Sequence, residues 1–525
     1  MPGALRRWAD LSEAGSQPGL EGKLPTHPEV VAMPLTTPAG PSIDAVRDRE
    51  WRLRIGGELS GSRGGERYPS IDPSTEETIA EVPDASAKDV DMAVRTAREA
   101  GERWRRVAVR ERAAIVRRLV PVLLEHRDEL AFLDALDGGS PITAMRGDVQ
   151  WAVDNIELFC DWAMELRGQT IPASAENLHY TVLEPYGVVA RIIPYNHPLF
   201  FTAAKIAAPL VAGNAVVLMA PDQTPLSPLR IGELFADVLP SGLLTVLSGT
   251  KGRAGEALVR HPDVRRIAFI GSERTGRTIQ RTAAETGVKH VTLELGGKNA
   301  MVVFPDADIV RVAASAVAGM NFTASQGQSC GSTSRLLLHE SIAGDVVDAV
   351  RATVEQIRIG SPLDDATQMG PVISRAHYDR ILGFVESART EGARVVTGGN
   401  RAPGFDRGFF LSPTVLDGVQ PGMRVAREEI FGPVLSVMTW RDEAEAIRIA
   451  NGVDYGLTAS VWTNDITRAH RVVRELEAGY VWINGVSRHF WGTPFGGVKS
   501  SGVGREEDVE ELRSYAQVKT VHVLL

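Results

Sequence analysis

The chain has 525 residues, of which 43% are hydrophobic and 23% charged, so it is long enough for roughly two to four folded domains and is not a disordered chain. Its 57 Lys and Arg residues against 66 Asp and Glu residues leave a formal net charge of −9, which does not indicate a nucleic-acid partner. Two cysteines are too few for a disulfide framework or a Cys-rich metal site, and they suit a reducing cytoplasm.

Residues 1–48 are expected to form an irregular, proline-rich N-terminal arm. Arg6 and Arg7 are followed by Trp8 and Asp10 rather than by an apolar run, so a signal peptide is not indicated. The longest uncharged candidate for a membrane span, 206–221, is too short and is interrupted by proline and glycine. We therefore expect a soluble protein with no membrane partner.

Regular structure is predicted from about residue 52, where a short hairpin precedes several helices. Ser86 and Asp89 resemble a capping box, and the apolar residues behind them recur at helical spacing. Further helices are predicted over 115–124 and 151–166, and an alternating hairpin arm over 177–183.

Strands and helices alternate from Gly187 onward. This rhythm predicts a parallel, doubly wound α/β sheet, and a second series from about 300 to 473 predicts another α/β lobe of similar size. The predicted strands of the first series are 188–193, 215–218, 244–247, 266–270 and 290–295, and its helices are 200–210, 227–238, 255–260 and 275–286.

Cys330 is the cysteine whose surroundings favour chemistry. It lies in a turn of Gly, Ser and Gln residues, which would keep the thiol accessible and lower its pKa, although a lone cysteine is more often a small buried hydrophobe. Cys160 follows Leu158 and Phe159 in an apolar helical stretch, which favours a structural role.

Three further segments follow predicted strands. Glu294 ends a strand before two glycines, where burial would suit a general base, unless it is paired with Lys298. Gly271 begins a strand-to-helix turn that could bind a pyrophosphate, or could be a plain glycine turn. Asn196 follows the strand 188–193, where its amide could stabilise an oxyanion, or simply belong to a proline-bounded turn.

Taken together and in this order, these four segments resemble the aldehyde dehydrogenase superfamily over residues 52–523. The proposed nucleophile and base lie 36 residues apart, and further matching stretches are 428–434, 451–457 and 494–506. The resemblance implies an aldehyde dehydrogenase-like α/β fold with a Rossmann-like cofactor domain, an α/β catalytic domain and a β oligomerisation arm. The implied boundaries are 49–167 with 185–297 for the cofactor domain, 298–493 for the catalytic domain, and 168–184 with 508–525 for the arm.

The resemblance also implies the roles of the site residues. Cys330 would attack the aldehyde to form a thiohemiacetal, whose oxyanion would be held by Asn196 and the Cys330 backbone N–H. Hydride transfer to nicotinamide would leave a thioester, and Glu294 would activate the water that hydrolyses it. Residues implied to bind the cofactor are Ile193, Pro194, Met219, Asp222, Gly271, Ser272, Gly276, Leu295, Glu429 and Phe431. Residues implied to contact the substrate are His197, Phe200, Phe201, Ala324, Phe490 and Phe495.

One departure from the family pattern concerns the cofactor. Met219 stands where a lysine usually hydrogen-bonds the adenosine ribose, and a methionine donates no such bond. Asp222 would repel a 2′-phosphate, which favours NAD over NADP.

The expected protein is a cytoplasmic, NAD-dependent, non-acylating aldehyde dehydrogenase that assembles as a homodimer or homotetramer, with no metal and no nucleic acid. Two alternatives are a CoA-acylating semialdehyde dehydrogenase and a binding or structural protein on the same fold. The aromatic residues of the expected pocket favour a bulky apolar or aromatic aldehyde, whereas Arg488 and His489 would suit the carboxylate of a semialdehyde.

Overall fold

The computed structural model describes residues 41–524, so the greater part of the predicted N-terminal arm lies outside the described residues. Within that arm, the prediction of irregular structure is wrong for its last residues. Ile43–Asp48 form a helix, because the Ser42 side chain accepts a hydrogen bond from the Ala45 N–H and Val46 is buried against the core.

The chain forms mixed α/β structure throughout its described part. The helices are α1 (Ile43–Asp48), α2 (Ala87–Trp104), α3 (Val109–Arg117), α4 (Leu119–Glu125), α5 (Arg127–Gly138), α6 (Ile142–Asp161), α7 (Pro198–Ala204), α8 (Ala207–Val211), α9 (Leu226–Leu234), α10 (Arg253–Arg260), α11 (Glu273–Thr286), α12 (Ile309–Gly319), α13 (Phe322–Ser325), α14 (Ala343–Val354), α15 (Arg375–Thr390), α16 (Arg424–Arg427), α17 (Glu443–Asn451), α18 (Ile466–Glu475) and α19 (Val509–Ser514). The strands are β1 (Leu53–Ile55), β2 (Glu58–Ser60), β3 (Arg67–Ile71), β4 (Thr78–Pro83), β5 (Thr170–Ser174), β6 (Asn177–Pro185), β7 (Val188–Ile192), β8 (Ala215–Met219), β9 (Leu244–Leu247), β10 (Val264–Ile270), β11 (His290–Glu294), β12 (Ala300–Val303), β13 (Arg335–His339), β14 (Arg394–Thr397), β15 (Thr414–Asp417), β16 (Val434–Trp440), β17 (Tyr455–Gly456), β18 (Thr458–Trp462), β19 (Tyr480–Ile483), β20 (Val498–Lys499), β21 (Gly502–Val503) and β22 (Ala516–Leu524).

The first large sheet confirms the predicted parallel arrangement. Its eight strands run in the order β2-β1-β9-β8-β7-β10-β11-β21, and neighbours from β9 to β11 are parallel. All five residues of β8 are buried, as expected for a parallel strand covered on both faces. The predicted capping box at Ser86 is confirmed at the start of α2, which packs on this sheet.

A second sheet is formed by the chain after Glu294. Its order is β14-β15-β16-β13-β12-β18-β19, with only the edge strand β14 antiparallel to its neighbour. Residues on its two faces belong to two separate apolar clusters, one around Val302 and Leu337 and the other around Val303 and Leu336. The predicted second α/β series is therefore confirmed.

A separate three-stranded sheet contains the predicted hairpin arm. Its order is β22-β6-β5, and β22 pairs with β6 from Ala516 opposite Pro185 to Leu524 opposite Asn177. The strand β22 begins only at Ala516, because α19 packs its Leu512 into the main core and Tyr515 is also buried. The described residues 41–524 belong to one compact unit, so the domain boundaries stay a prediction.

One predicted helix is interrupted. The segment 200–210 is divided between α7 and α8, with Pro209 in the first turn of α8. A proline there loses no helical hydrogen bond, but it cannot continue a helix from the preceding turn. The break directs the Lys205 side chain into the interior. In the described part of the chain, no helix is long and apolar enough to cross a membrane.

Candidate active site

Three predicted site segments meet because they follow neighbouring parallel strands. β10 lies between β7 and β11, with Ile270 paired to Glu294 and Phe269 paired to Ile192. The segments after these strand ends therefore lie side by side at one edge of the sheet, where ligands bind in open α/β folds.

Cys330 lies against Glu294 at this edge, although the two residues belong to separate segments. Cys330 is half-buried and Glu294 is buried. Burial raises the pKa of the Glu294 carboxyl to about 8. Burial and the neighbouring Glu294 carboxylate raise the pKa of the Cys330 thiol well above its usual range. The expectation of a lowered thiol pKa is wrong for this structure, because burial disfavours the thiolate and the adjacent carboxylate opposes a second negative charge.

The loop that contains Cys330 is held by buried amide side chains. Asn299 Nδ2 donates to the Cys330 carbonyl at 2.7 Å and to the Ser332 carbonyl at 2.9 Å. Gln328 Oε1 accepts from the Ile373 N–H at 3.1 Å, and Gln326 Nε2 donates to the Gly139 carbonyl at 3.1 Å. Sequence reasoning assigned no role to these amides, whose hydrogen-bond partners come from distant segments.

The Asn196 side chain is aimed at the same loop. Its Nδ2 donates to the Gln328 carbonyl at 2.9 Å, and the residue is buried. Among residues 41–524, the Cys330 backbone N–H has no acceptor. The second Asn196 N–H and the Cys330 N–H are therefore available to an oxyanion. The possible Glu294–Lys298 ion pair does not occur, since Lys298 Nζ has no partner within the described chain.

The proposed pyrophosphate turn lies at the start of α11. Ser272 Oγ accepts from the Thr275 N–H at 3.3 Å, which caps the helix. A Cβ atom on Gly271 would lie 2.5 Å from the Phe269 ring, and one on Gly276 would lie 2.7 Å from Leu295, so both positions need glycine for space. The free N–H groups of this helix start favour a phosphate group.

Glu429 lies close to the turn that follows Glu294. Its Oε1 accepts from the Gly297 N–H at 2.9 Å, and a side chain on Gly296 would collide with its carboxylate. Burial raises the pKa of Glu429 to about 7. Phe431 has a φ of +58° and its ring contacts Tyr195 at 5.8 Å between centroids. A cleft of about 540 Å³ opens next to α11, lined by Glu273, Arg424, Glu428, Val453, Asp454 and Tyr455 among others. The glycines allow close approach of a ligand, and the N–H groups of α11 that Ser272 does not cap suit the pyrophosphate of a dinucleotide.

The expected adenosine side lies at the ends of β7 and β8. The Ile193 N–H donates to the Met219 carbonyl at 3.3 Å, so Ile193, Pro194 and Met219 are neighbours. Met219 is buried, whereas Asp222 is exposed. Leu295 is buried against Gly276. A carboxylate, and no lysine, is therefore the charged group just beyond this strand.

Several expected substrate residues form an aromatic wall, defined by Trp151, Phe200, Phe201, Trp491, His489, Tyr480 and Phe495. The ring centroid of Trp151 lies 6.2 Å from that of Phe200 and 6.4 Å from that of Trp491, and both pairs meet edge to face. The ring centroids of His489 and Phe495 lie 4.3 Å apart. Phe490 is 48% exposed beneath the Arg488 guanidinium, and Ala324 is half-buried on α13. Trp151 and Tyr480 were not predicted, because only the fold brings them to this wall.

A group of buried charges lies near Glu294. Glu506 Oε1 accepts from Arg191 at 2.8 Å, and its Oε2 lies 3.0 Å from Lys205 Nζ. Burial by itself would raise the pKa of Glu506, but Arg191 and Lys205 lower it to about 2. Sequence reasoning gave these residues no role, because Glu506 is far along the chain from Arg191 and Lys205.

Comparisons with known proteins agree with this geometry. The chain matches the sequence model of the Aldehyde dehydrogenase family over residues 60–521. It is 44% identical to the aldehyde dehydrogenase tropH of Talaromyces stipitatus over 87% of this chain and 90% of that protein. A solved NAD+ complex of aldehyde dehydrogenase from Bacillus cereus covers 93% of this chain and 99% of its own at 38% identity, with a TM-score of 0.89. The structure of betaine aldehyde dehydrogenase from Staphylococcus aureus in complex with NAD+ also has a TM-score of 0.89. The match covers 92% of this chain and 96% of that protein, with 34% sequence identity.

The fold and the matched residues define an NAD(P)-dependent oxidoreductase. The chain belongs to the aldehyde dehydrogenase family, whose general reaction is the oxidation of aldehydes to acids.

Proposed function

We propose that this chain oxidises an aldehyde to the carboxylic acid with NAD, through a thiohemiacetal and a thioester on Cys330. The observation that supports this most directly is the position of the Cys330 thiol against the Glu294 carboxyl, next to a loop that accepts from the Asn196 amide. A nucleophile, a base and an oxyanion donor are the three groups that such chemistry requires.

In the proposed reaction, the Cys330 thiol releases its proton to solvent and the sulfur attacks the aldehyde carbon. The Asn196 amide and the Cys330 N–H donate to the resulting oxyanion. A bound NAD would supply the acceptor for the hydride of this carbon. Glu294, raised in pKa by burial, takes a proton from the water that hydrolyses the thioester, because its carboxylate is a stronger base than an exposed one.

We propose NAD rather than NADP as the preferred cofactor. Asp222 would repel a 2′-phosphate, and the buried Met219 offers it no positive charge. Direct titration should give a lower dissociation constant for NAD than for NADP, and Asp222→Ser should narrow the difference by improving NADP binding. Tighter binding of NADP by the unaltered chain would contradict this preference.

The proposed substrate is a bulky apolar or aromatic aldehyde, because the aromatic wall offers flat apolar surfaces. The free thiols of Cys160 and Cys330 also suit a reducing cytoplasm as the site of action.

NADH formation, followed by absorbance with a panel of aldehydes, tests the proposal. We expect NADH and the free acid without CoA, and neither with Cys330→Ser. Cys160→Ser, which alters the other thiol, is the matched control and should keep turnover. NADH formation that requires CoA and yields a thioester would replace the proposal with the acylating alternative. Absence of NADH with every aldehyde, despite NAD binding, would favour a binding protein.

A further inference from the structure

His197 lies beside the aromatic wall and, unlike the Phe201 ring that it contacts, has a polar ring. It follows Asn196 directly and precedes α7, which supplies Phe200 and Phe201. Its ring meets the Phe201 ring edge to face, with 6.2 Å between the ring centroids. The imidazole therefore connects the oxyanion segment to the apolar part of the proposed substrate pocket.

The His197 side chain is held from the opposite helix. Its Nδ1 lies 2.7 Å from Asp148 Oδ2, and Asp148 is nearly buried on α6, one helical turn before Trp151. Burial by itself would lower the pKa of His197, but Asp148 on α6 and, more weakly, Asp134 on α5 raise it. The ring consequently keeps its Nδ1–H directed at Asp148, and protonation leaves a second N–H on Nε2.

Capping of α7 does not account for the position of the His197 side chain. His197 stands at the start of α7, but its side chain makes no capping hydrogen bond. Asp134 caps that helix instead, since its Oδ2 accepts from the Leu199 N–H at 3.0 Å. Within residues 41–524, nothing accepts from His197 Nε2, and one-fifth of the side chain is exposed.

We infer that His197 determines specificity by donating from Nε2 to an oxygen substituent, a carboxylate, phenolate or hydroxyl, on an aromatic aldehyde. This inference rests on the proposed function and narrows its substrate class. The aromatic wall binds the ring of the substrate, and the imidazole satisfies the substituent oxygen. A charge-assisted donor in a partly desolvated site discriminates strongly, because the analogue without the oxygen leaves that donor unpaired.

The test compares benzaldehyde with its 2-, 3- and 4-carboxy and hydroxy derivatives. We expect the unaltered chain to have a higher kcat/KM for at least one derivative than for benzaldehyde. His197→Phe, which keeps an aromatic ring, should lower that ratio on the order of tenfold or more, mainly through KM. His197→Gln keeps a neutral donor and should restore part of the preference. The carboxy and hydroxy series separate an anionic from a neutral acceptor.

Asp148→Asn provides a second variant that leaves the imidazole in place. It should weaken the preference for the substituted aldehyde, because it removes the negative charge that raises the pKa of His197 and lies 2.7 Å from its Nδ1. This variant decides the question if His197→Phe does not fold. A ratio that is the same in the unaltered chain and in each folded variant overturns the inference, because a structural role would affect all aldehydes alike.

Failure of the inference and failure of the proposed function are distinguishable. Turnover of benzaldehyde with no preference for any derivative would overturn the inference alone. If no aldehyde yields NADH, the proposed function fails, and binding of benzoate and the three benzenedicarboxylates is then measured through quenching of tryptophan fluorescence. Tighter binding of one dicarboxylate that is lost in His197→Phe would still support the donor role, and equal binding would overturn it.

Discussion

At the scale of single residues, the protonation of the site is set by one close pair. Cys330 and Glu294 are both acids, and the structure places them together in a partly buried environment. The Glu294 carboxylate opposes ionisation of the thiol, whereas the neutral thiol donates to the carboxylate and favours its ionisation, so the carboxyl loses its proton before the thiol does.

Alkylation of Cys330 should be slow at neutral pH and accelerate as the pH rises, since the thiolate is the nucleophile. Glu294→Gln should shift the midpoint of the alkylation profile to lower pH, because the neighbouring negative charge is removed. Mass spectrometry after timed iodoacetamide treatment measures both thiols. Cys160, whose pKa burial raises to about 12, is an internal control that should react more slowly. An unshifted midpoint in Glu294→Gln would show that the carboxylate does not control the thiol.

Turnover should increase with pH through about 8. The pKa of Glu294 is raised to about 8, so the base form required for thioester hydrolysis is a minor species at neutral pH and predominates above that pKa. Glu294→Gln should remove this limb and lower kcat on the order of 10²-fold or more, while an early burst of NADH remains. Stopped-flow and steady-state absorbance together measure the two phases. A variant with the same kcat and the same pH limb would remove Glu294 from the role of base.

At the scale of elements, the buried charges join parts of the chain that have no local relation. Glu506 pairs with Arg191 of β7 and with Lys205, which follows α7. Arg191 and Lys205 are fully buried, and Glu506 is the acid nearest to both, although Glu511 also lies 3.8 Å from Lys205 Nζ.

Glu506→Gln should destabilise the chain by about 3–5 kcal/mol, the usual cost of breaking a buried ion pair. The pKa of Glu506 falls from 4.5 to about 2 on folding, so its contribution is complete above pH 4.5 and is lost as the pH falls toward 2. Urea denaturation between pH 3 and pH 7 measures the free energy of unfolding. The unaltered chain should lose stability more steeply with acid than the variant does.

A matched surface variant separates burial from charge. Arg441→Gln breaks the exposed Arg441–Glu340 pair, which spans 3.3 Å, and should change the urea midpoint little. Equal effects of the buried and exposed substitutions would contradict the assigned role of the buried cluster.

At the scale of the whole molecule, the three-stranded sheet offers an edge for assembly. β22 is its outer strand, and Val518 and Leu524 are 66% and 84% exposed. An exposed apolar edge strand is a template for pairing with another chain. The homodimer or homotetramer proposed from the family resemblance would cover this edge.

Val518→Asp should reduce the molar mass measured by light scattering, because a charge on the edge opposes pairing. Val310→Asp is the matched control, since Val310 is 78% exposed but lies on α12. It should leave the molar mass unchanged. An assembled Val518→Asp protein with the mass of the unaltered chain would indicate that assembly uses another surface.

Local patterns determined the secondary structure because they depend on near neighbours. The buried run of β8 and the Ser86 capping box were both readable from a few adjacent residues. The break between α7 and α8 does not follow from the apolar pattern, because that pattern continues across Pro209 as it would in one unbroken helix.

The family, the doubly wound sheet and the candidates Cys330, Glu294 and Asn196 could be predicted from the sequence, because motifs and strand patterns are local along the chain. The direction of the thiol pKa shift and the contact of His197 with Asp148 are visible only in the folded chain. Both depend on which distant groups folding brings within a few ångströms, and on how much water burial removes from them. Neither these distances nor the extent of burial can be read from the spacing of residues along the chain.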